Sequence, residues 1–166
     1  YGLMQAYAEG WELLATFEGE TVERMSACPG AAGLIVASSR VGDTDASRVR
    51  VSSDHGESWR VLASPDFHVE DIAAGVTDGS PVVFAATDRG LFRIAVTDGA
   101  VPESVLVDAA TPAKPFYAVA VVSEAGGDLQ LAAAAQELGG VYVSFQAGRS
   151  GTYAPVGLTG VDVRLL

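Results

Sequence analysis

Several things are scarce in this 166-residue chain, and each scarcity narrows what it can be. The single cysteine, Cys28, rules out a disulfide within the chain. Cys28-Pro29 has no histidine at a metal-ligand spacing and reads as a small residue buried or set at the edge of a turn. The two histidines, His55 and His68, belong to no Ser/His/Asp or metal-binding pattern and read as exposed loop residues. Only ten lysines and arginines stand against 21 aspartates and glutamates, a net charge of −11. Nucleic acid and anionic membrane surfaces are both held by Lys and Arg, so neither is an expected partner. No apolar run approaches the roughly 20 residues of a spanning helix. No nucleotide-binding glycine motif precedes a helical pattern, so no cofactor is expected.

The chain opens on Tyr1-Gly2-Leu3-Met4, with neither a starting Met nor a leader-like segment, and reads as the interior of something longer. Composition leaves the compartment open. The acidic balance suits a basic partner or divalent cations, and its ordinary effect is solubility.

What is plentiful is apolar residues, at 49% against 19% charged, together with 19 glycines. That is the make-up of one compact folded domain. The apolar runs repeat. Val22-Glu23-Arg24-Met25 lines up with Val69-Glu70-Asp71-Ile72 at an offset of 47, and the same step reaches Phe116-Tyr117-Ala118-Val119. A step of about 46 carries the series to Val161–Leu166. Continuous apolar runs follow the first three: 34–38, 82–86 and 129–134. Their character suits strands buried on both faces, and their register outweighs the helical propensity of Ala132–Ala135. A third series comprises 2–5, 48–51, 90–93 and 140–143, with hairpin glycines ahead of the last two. A fourth comprises 11–14, 59–62, 104–107 and 152–156.

Four short strands in a unit of this length predict an all-β fold, a β-propeller. The chain then holds three complete four-stranded blades, at about 21–63, 69–109 and 116–158. Partial blades stand at both ends: the last two strands of one over 1–17, and the first strand of another over 161–166. Part of a larger propeller is the favoured arrangement. A homodimer closing one ring, or pairing of 161–166 with the N-terminal hairpin into a small four-bladed ring, are the others.

The best-marked turn lies between the third and fourth strands of the first complete blade. Ser52-Ser53-Asp54-His55-Gly56-Glu57-Ser58-Trp59 reads S-x-D-x-G-x-x-W. Ser52 and Asp54 can accept hydrogen bonds from turn N–H groups, Gly56 permits a positive φ, and Trp59 supplies an apolar plate with one N–H. All four roles are structural. The stretch resembles the Asp box, or BNR repeat, of propellers such as sialidases, xyloglucan-degrading glycosidases, sortilin-type receptors and photosystem assembly factors. The resemblance implies a turn on the outer rim, away from the axial site, with function to be sought on the opposite edge of the blades or in another part of the chain. Weaker traces remain at 8–11, at Thr97-Asp98-Gly99, and over Ser144–Tyr153, which keeps a Ser, Gly148 and an aromatic.

Catalytic patterns are sparse. Phe92-Arg93-Ile94-Ala95 brushes the F/Y-R-I-P motif of sialidases but lacks its Pro, and reads as an alternating strand with Arg93 outward. A glycosidase needs two carboxylates across a cleft, for which Asp43, Asp45, Asp66, Glu70, Asp71 and Asp88 are the loop candidates. Asp43-Thr44-Asp45 is a fragment of an oxygen-ligand calcium loop without its Gly and terminal Glu, and reads as a solvated acidic loop. No catalytic or metal-binding residue is assigned. The expected function is a non-catalytic scaffold or recognition module for a protein or glycan. The alternative is a fragment of a propeller glycoside hydrolase with catalytic carboxylates partly outside this chain.

Overall fold

The computed structural model describes residues 2–7, 10–105, 114–122, 128–137, 139–158 and 160–164. These residues are all-β and contain no helix. β1 (Gly2–Tyr7) and β2 (Gly10–Thr16) pair as a hairpin. Three four-stranded antiparallel sheets follow in chain order. The first holds β3 (Glu20–Ala27), β4 (Ile35–Val41), β5 (Ser47–Ser52) and β6 (Arg60–Ala63). The second holds β7 (Val69–Thr77), β8 (Ser80–Thr87), β9 (Gly90–Ala95) and β10 (Glu103–Val105). The third holds β11 (Phe116–Val122), β12 (Gln130–Ala135), β13 (Gly140–Ser144) and β14 (Tyr153–Gly157).

In each sheet the strands neighbour one another in sequence order, with the first strand at one edge. β7 lies against both β3 and β11, so the leading edges of successive sheets meet. The alanine run 132–135 is extended: Ala133 pairs with Val119 and Tyr142 across its two neighbours. Apolar burial between sheets overrides the helical propensity of alanine there.

Each sheet is buried against its neighbour through the alternation of its strands. Between the second and third sheets, Phe84, Leu91 and Val105 pack with Phe116, Leu131 and Tyr142. Between the first and second, Val36, Val49 and Leu62 pack with Val83, Ala85 and Ile94. Small residues let the sheets approach closely: a Cβ on Gly75 would lie 2.5 Å from Leu129 Cδ1.

One position of the repeat is filled by three different chemistries. Glu20, Phe67 and Lys114 stand at successive steps of 47 residues. Glu20 accepts hydrogen bonds from Arg50 Nη2 at 2.7 Å and Ser39 Oγ at 2.6 Å, and also pairs with Arg48. Phe67 stacks on Phe92 with ring centroids 4.6 Å apart. The Lys114 ammonium sits 5.8 Å from the centre of the Tyr142 ring. Arg50, Phe92 and Tyr142 hold matching registers in their third strands.

The C-terminal segment departs from expectation. Residues 161–164 form no strand, and Leu165 and Leu166 lie outside the described residues. Instead Val163 packs onto Ala118, Ala134 and Val141 on the outer face of the third sheet, and Arg164 lies over Tyr117 at 4.8 Å. Strand pairing requires a neighbour for the backbone N–H and C=O groups. Side-chain contacts and a turn bond from Val161 N to Leu158 O at 3.0 Å hold this segment in place of a ladder. The expected fourth strand over 104–107 is seen as Glu103–Val105, with 106 and 107 outside the described residues.

Candidate functional site

Ser52–Trp59 forms a turn that satisfies its own polar groups. Ser52 Oγ accepts from Gly56 N at 2.8 Å, and Asp54 Oδ1 accepts from Ser58 N at 2.9 Å and from Ser52 Oγ at 2.7 Å. Hydrogen bonds from the Ser58 hydroxyl, Ser58 N and Ser52 hold the Asp54 carboxyl down to about 2. His55 and Gly56 both take positive φ, at 63° and 98°. Trp59 Nε1 donates to Gly56 O at 2.9 Å. Both carboxylate oxygens of Asp54 accept hydrogen bonds from within the turn. His55 is exposed, and its backbone N–H donates to Gly33 O.

The opposite end of the sheets gathers charge along the first strands. β3, β7 and β11 each carry a register shift at the same point of the repeat. The extra residues are Glu23, Glu70 and Tyr117, 47 apart in each step. A bulge re-aims the side chain it carries. Glu23 and Glu70 flank His68: Nδ1 lies 3.8 Å from Glu23 Oε2, and Nε2 lies 3.8 Å from Glu70 Oε2. His68 is therefore half-buried between two sheets and not an exposed loop residue. Its backbone is pinned by Asp88, whose Oδ1 accepts from His68 N and whose N–H donates to His68 O.

Several other carboxylates at this end are engaged, Glu23 through Oε1 alone, since its buried Oε2 has no hydrogen-bond partner. Glu23 Oε1 pairs with Arg40 Nε at 3.2 Å. Asp71 accepts from Val119 N at 3.0 Å and faces Arg24 at 3.7 Å, which ties the three first strands together. Burial pushes the Asp71 carboxyl up despite these partners. Asp66 pairs with Arg89 at 3.6 Å on the surface. Asp43 and Asp45 are exposed in a loop shaped by Thr44, whose hydroxyl donates to Val41 O and accepts from Ala46 N. Among the described residues, no group of three His, Cys, Asp or Glu side chains could hold a metal ion. Cys28 is buried, and burial pushes its thiol up.

A third place was not marked in the sequence. Arg93 points into the seam between the second and third sheets, not outward, and donates from Nη2 to Thr77 Oγ1 at 3.2 Å. It lines a cleft of about 170 Å³ with Glu103, Val105, Gly148, Arg149 and Ser150. The cleft opens toward the turn-bearing end of the sheets, since Gly148 and Arg149 belong to the connection between β13 and β14.

No protein-family profile matches the sequence, and no curated protein does. Among solved structures, the fold is similar to that of an ancestral GH74 enzyme, with a TM-score of 0.59 and 20% identity. That match covers 92% of this chain and 22% of the enzyme. It is also similar to SapL1 lectin, solved in complex with alpha methyl fucoside, with a TM-score of 0.50 and 16% identity. There 93% of this chain is covered and 54% of the lectin. Both are propellers, and both match across nearly the whole of this chain.

The chain is a partial β-propeller.

In that frame, Glu23, Glu70 and Tyr117 lie on the innermost strands of successive blades. The Ser52–Trp59 turn and the Arg93 cleft lie farther out.

Proposed function

We propose that this propeller is a non-catalytic recognition module that binds a glycan. The observation that carries the reading is how the carboxylates of the innermost strands are used. Glu20, Glu23 and Asp71 are held by arginines, and Asp71 also by a backbone N–H, so they serve as ties within and between blades. A glycosidase requires two carboxylates facing a cleft, one of them free to exchange a proton. Glu70 and Glu23 stand on either side of His68, Glu23 with Oε1 on Arg40 and a buried Oε2 that takes no hydrogen bond, so among the described residues this pair faces an imidazole and not an open cleft. The glycan is favoured over a protein partner because the lectin of similar fold is a glycan binder, an analogy that rests on fold. In this reading Ser52–Trp59 is an Asp box whose task is to staple a turn, with Ser52, Asp54, Gly56 and Trp59 in structural roles.

The second reading, a piece of a propeller glycoside hydrolase, draws on the similarity to the ancestral GH74 enzyme, of which the chain spans 22%. Its catalytic carboxylates would lie partly in other blades. A glycan array probed with the purified chain, followed by a reducing-end assay on each glycan that binds, separates the two. Saturable binding without new reducing ends is expected. Release of reducing ends would instead establish the hydrolase reading.

A further inference from the structure

We propose that the cleft between the second and third blades, lined by the half-buried Arg93 and the exposed Glu103, is a binding site for a single pyranose with two adjacent hydroxyl groups. This inference rests on the glycan reading above and names the place and the ligand.

The groups around the cleft are held for this task by one turn. Thr77 and Asp78, at the join of β7 and β8, each hold a guanidinium from a different blade. Thr77 Oγ1 accepts from Arg93 Nη2 at 3.2 Å, and Asp78 Oδ2 accepts from Arg149 Nη2 at 3.1 Å. Arg93 comes from β9 of the second blade, and Arg149 from the β13–β14 connection of the third. Both line the same opening.

Glu103 stands directly opposite Arg93 in the β9–β10 ladder, so the two side chains share one face of the sheet. They form no ion pair with each other, and Glu103 enters none with any described residue. A carboxylate only accepts hydrogen bonds and a guanidinium only donates them. A hydroxyl does both. Two neighbouring hydroxyls can donate to Glu103 while accepting from Arg93, with a charged group in each bond. The alternative, a carboxylate ligand on Arg93 and Arg149, meets like charge from Glu103 and from Asp78.

Size and rigidity agree. A volume of about 170 Å³ falls below the several hundred Å³ of drug-sized sites and suits one ring more than a chain. The wall is fixed, because Gly148 takes φ +62° with its Cα against Phe84, where a Cβ would lie 2.6 Å from Cε1. Pre-set walls lower the ordering cost of binding.

The test titrates methyl glycosides of fucose, mannose, galactose and glucose into the intact chain and its variants by calorimetry. At least one glycoside binds saturably to the wild type. Glu103→Gln and Arg93→Lys each weaken it at least tenfold while circular dichroism stays unchanged, and Glu70→Gln, at the other end of the blades, stays within twofold. Arg93→Lys keeps the charge and loses the planar fork. If binding survives both cleft variants, the site is elsewhere and the proposal is overturned while the glycan reading stands. If no glycan of any kind, on the array or in this titration, binds the wild type, both are overturned.

Discussion

Trp59 and Tyr153 close two different turns with the same hydrogen bond. Trp59 Nε1 donates to Gly56 O at 2.9 Å, and Tyr153 OH donates to Gly148 O at 3.2 Å. Each turn begins with a serine whose hydroxyl accepts a turn N–H: Ser52 from Gly56 and Ser144 from Gln146. Each turn places two consecutive residues at positive φ, His55 and Gly56 in one, Ala147 and Gly148 in the other. Burial pushes the Tyr153 hydroxyl up, which favours its protonated, donating form.

The serine is the bond to remove. Ser52→Ala leaves the buried Gly56 N–H without its acceptor and is expected to cost about 1–3 kcal/mol in urea unfolding. Ser144→Ala removes a longer bond from Gln146 N, at 3.2 Å, but also the 2.6 Å bond with Thr152 Oγ1, and is expected to fall in the same range. A loss near zero at either serine would contradict the equivalence.

Gly148 and Gly151 both have positive φ, at 62° and 78°, but only Gly148 faces a neighbour within reach of a Cβ. Gly151→Ala therefore carries conformational strain alone. Gly148→Ala adds a clash with the Phe84 ring, and is expected to be the more destabilising by about 1–3 kcal/mol in thermal unfolding.

Glu20 contributes to the acid limb of stability. Burial raises its carboxyl, but hydrogen bonds from Arg50, Ser39 and Arg48 outweigh that and hold it at about 2, against an ordinary value of 4.5. The unfolded chain thus binds a proton that the folded chain resists, so stability rises with pH across this window. The contribution is complete above pH 4.5 and is lost as pH falls toward 2. Glu20→Gln is expected to unfold about 3 kcal/mol more easily at pH 7, since Arg48 and Arg50 lose their counter-charge. Its stability should also fall less steeply than the wild type's below pH 4.5. An unchanged acid limb would place the titrating group elsewhere.

Phe67 and Phe92 fill the corresponding slot of the second blade with a stacked pair. Phe67→Ala is expected to cost about 3–5 kcal/mol. The Phe67→Ala, Phe92→Ala double variant should cost less than the sum of the singles, by roughly 0.5–1.5 kcal/mol for the ring contact.

The all-β fold was legible because first-strand apolar runs recur at a 47-residue step and because Gly56 and Trp59 sit at fixed places in a turn. The repeat was invisible where one slot holds a glutamate, a phenylalanine and a lysine, since an ion pair, an aromatic stack and a cation–π contact share no residue type. Glu23 carries no mark in the sequence, because its strand reads as plain alternation. Only the register shift shared by β3, β7 and β11 shows that Glu23, Glu70 and Tyr117 are set apart. Alternation alone makes Arg93 an outward residue, because it gives the face of a sheet but not whether another sheet covers that face. Glu103 and Arg149 carry no motif, and the β7–β8 turn that holds Arg93 and Arg149 in one cleft is remote from both in sequence.

The central claim is recognition without turnover, and one sample tests it. A glycan that binds the intact chain is held with it at saturating concentration for a day while its anomeric proton signals are followed by nuclear magnetic resonance. Line broadening or shift of the glycan signals on addition of protein, with the glycan recovered intact at the end, is the predicted result. Appearance of free reducing-end signals at a rate above that of the protein-free control would contradict it.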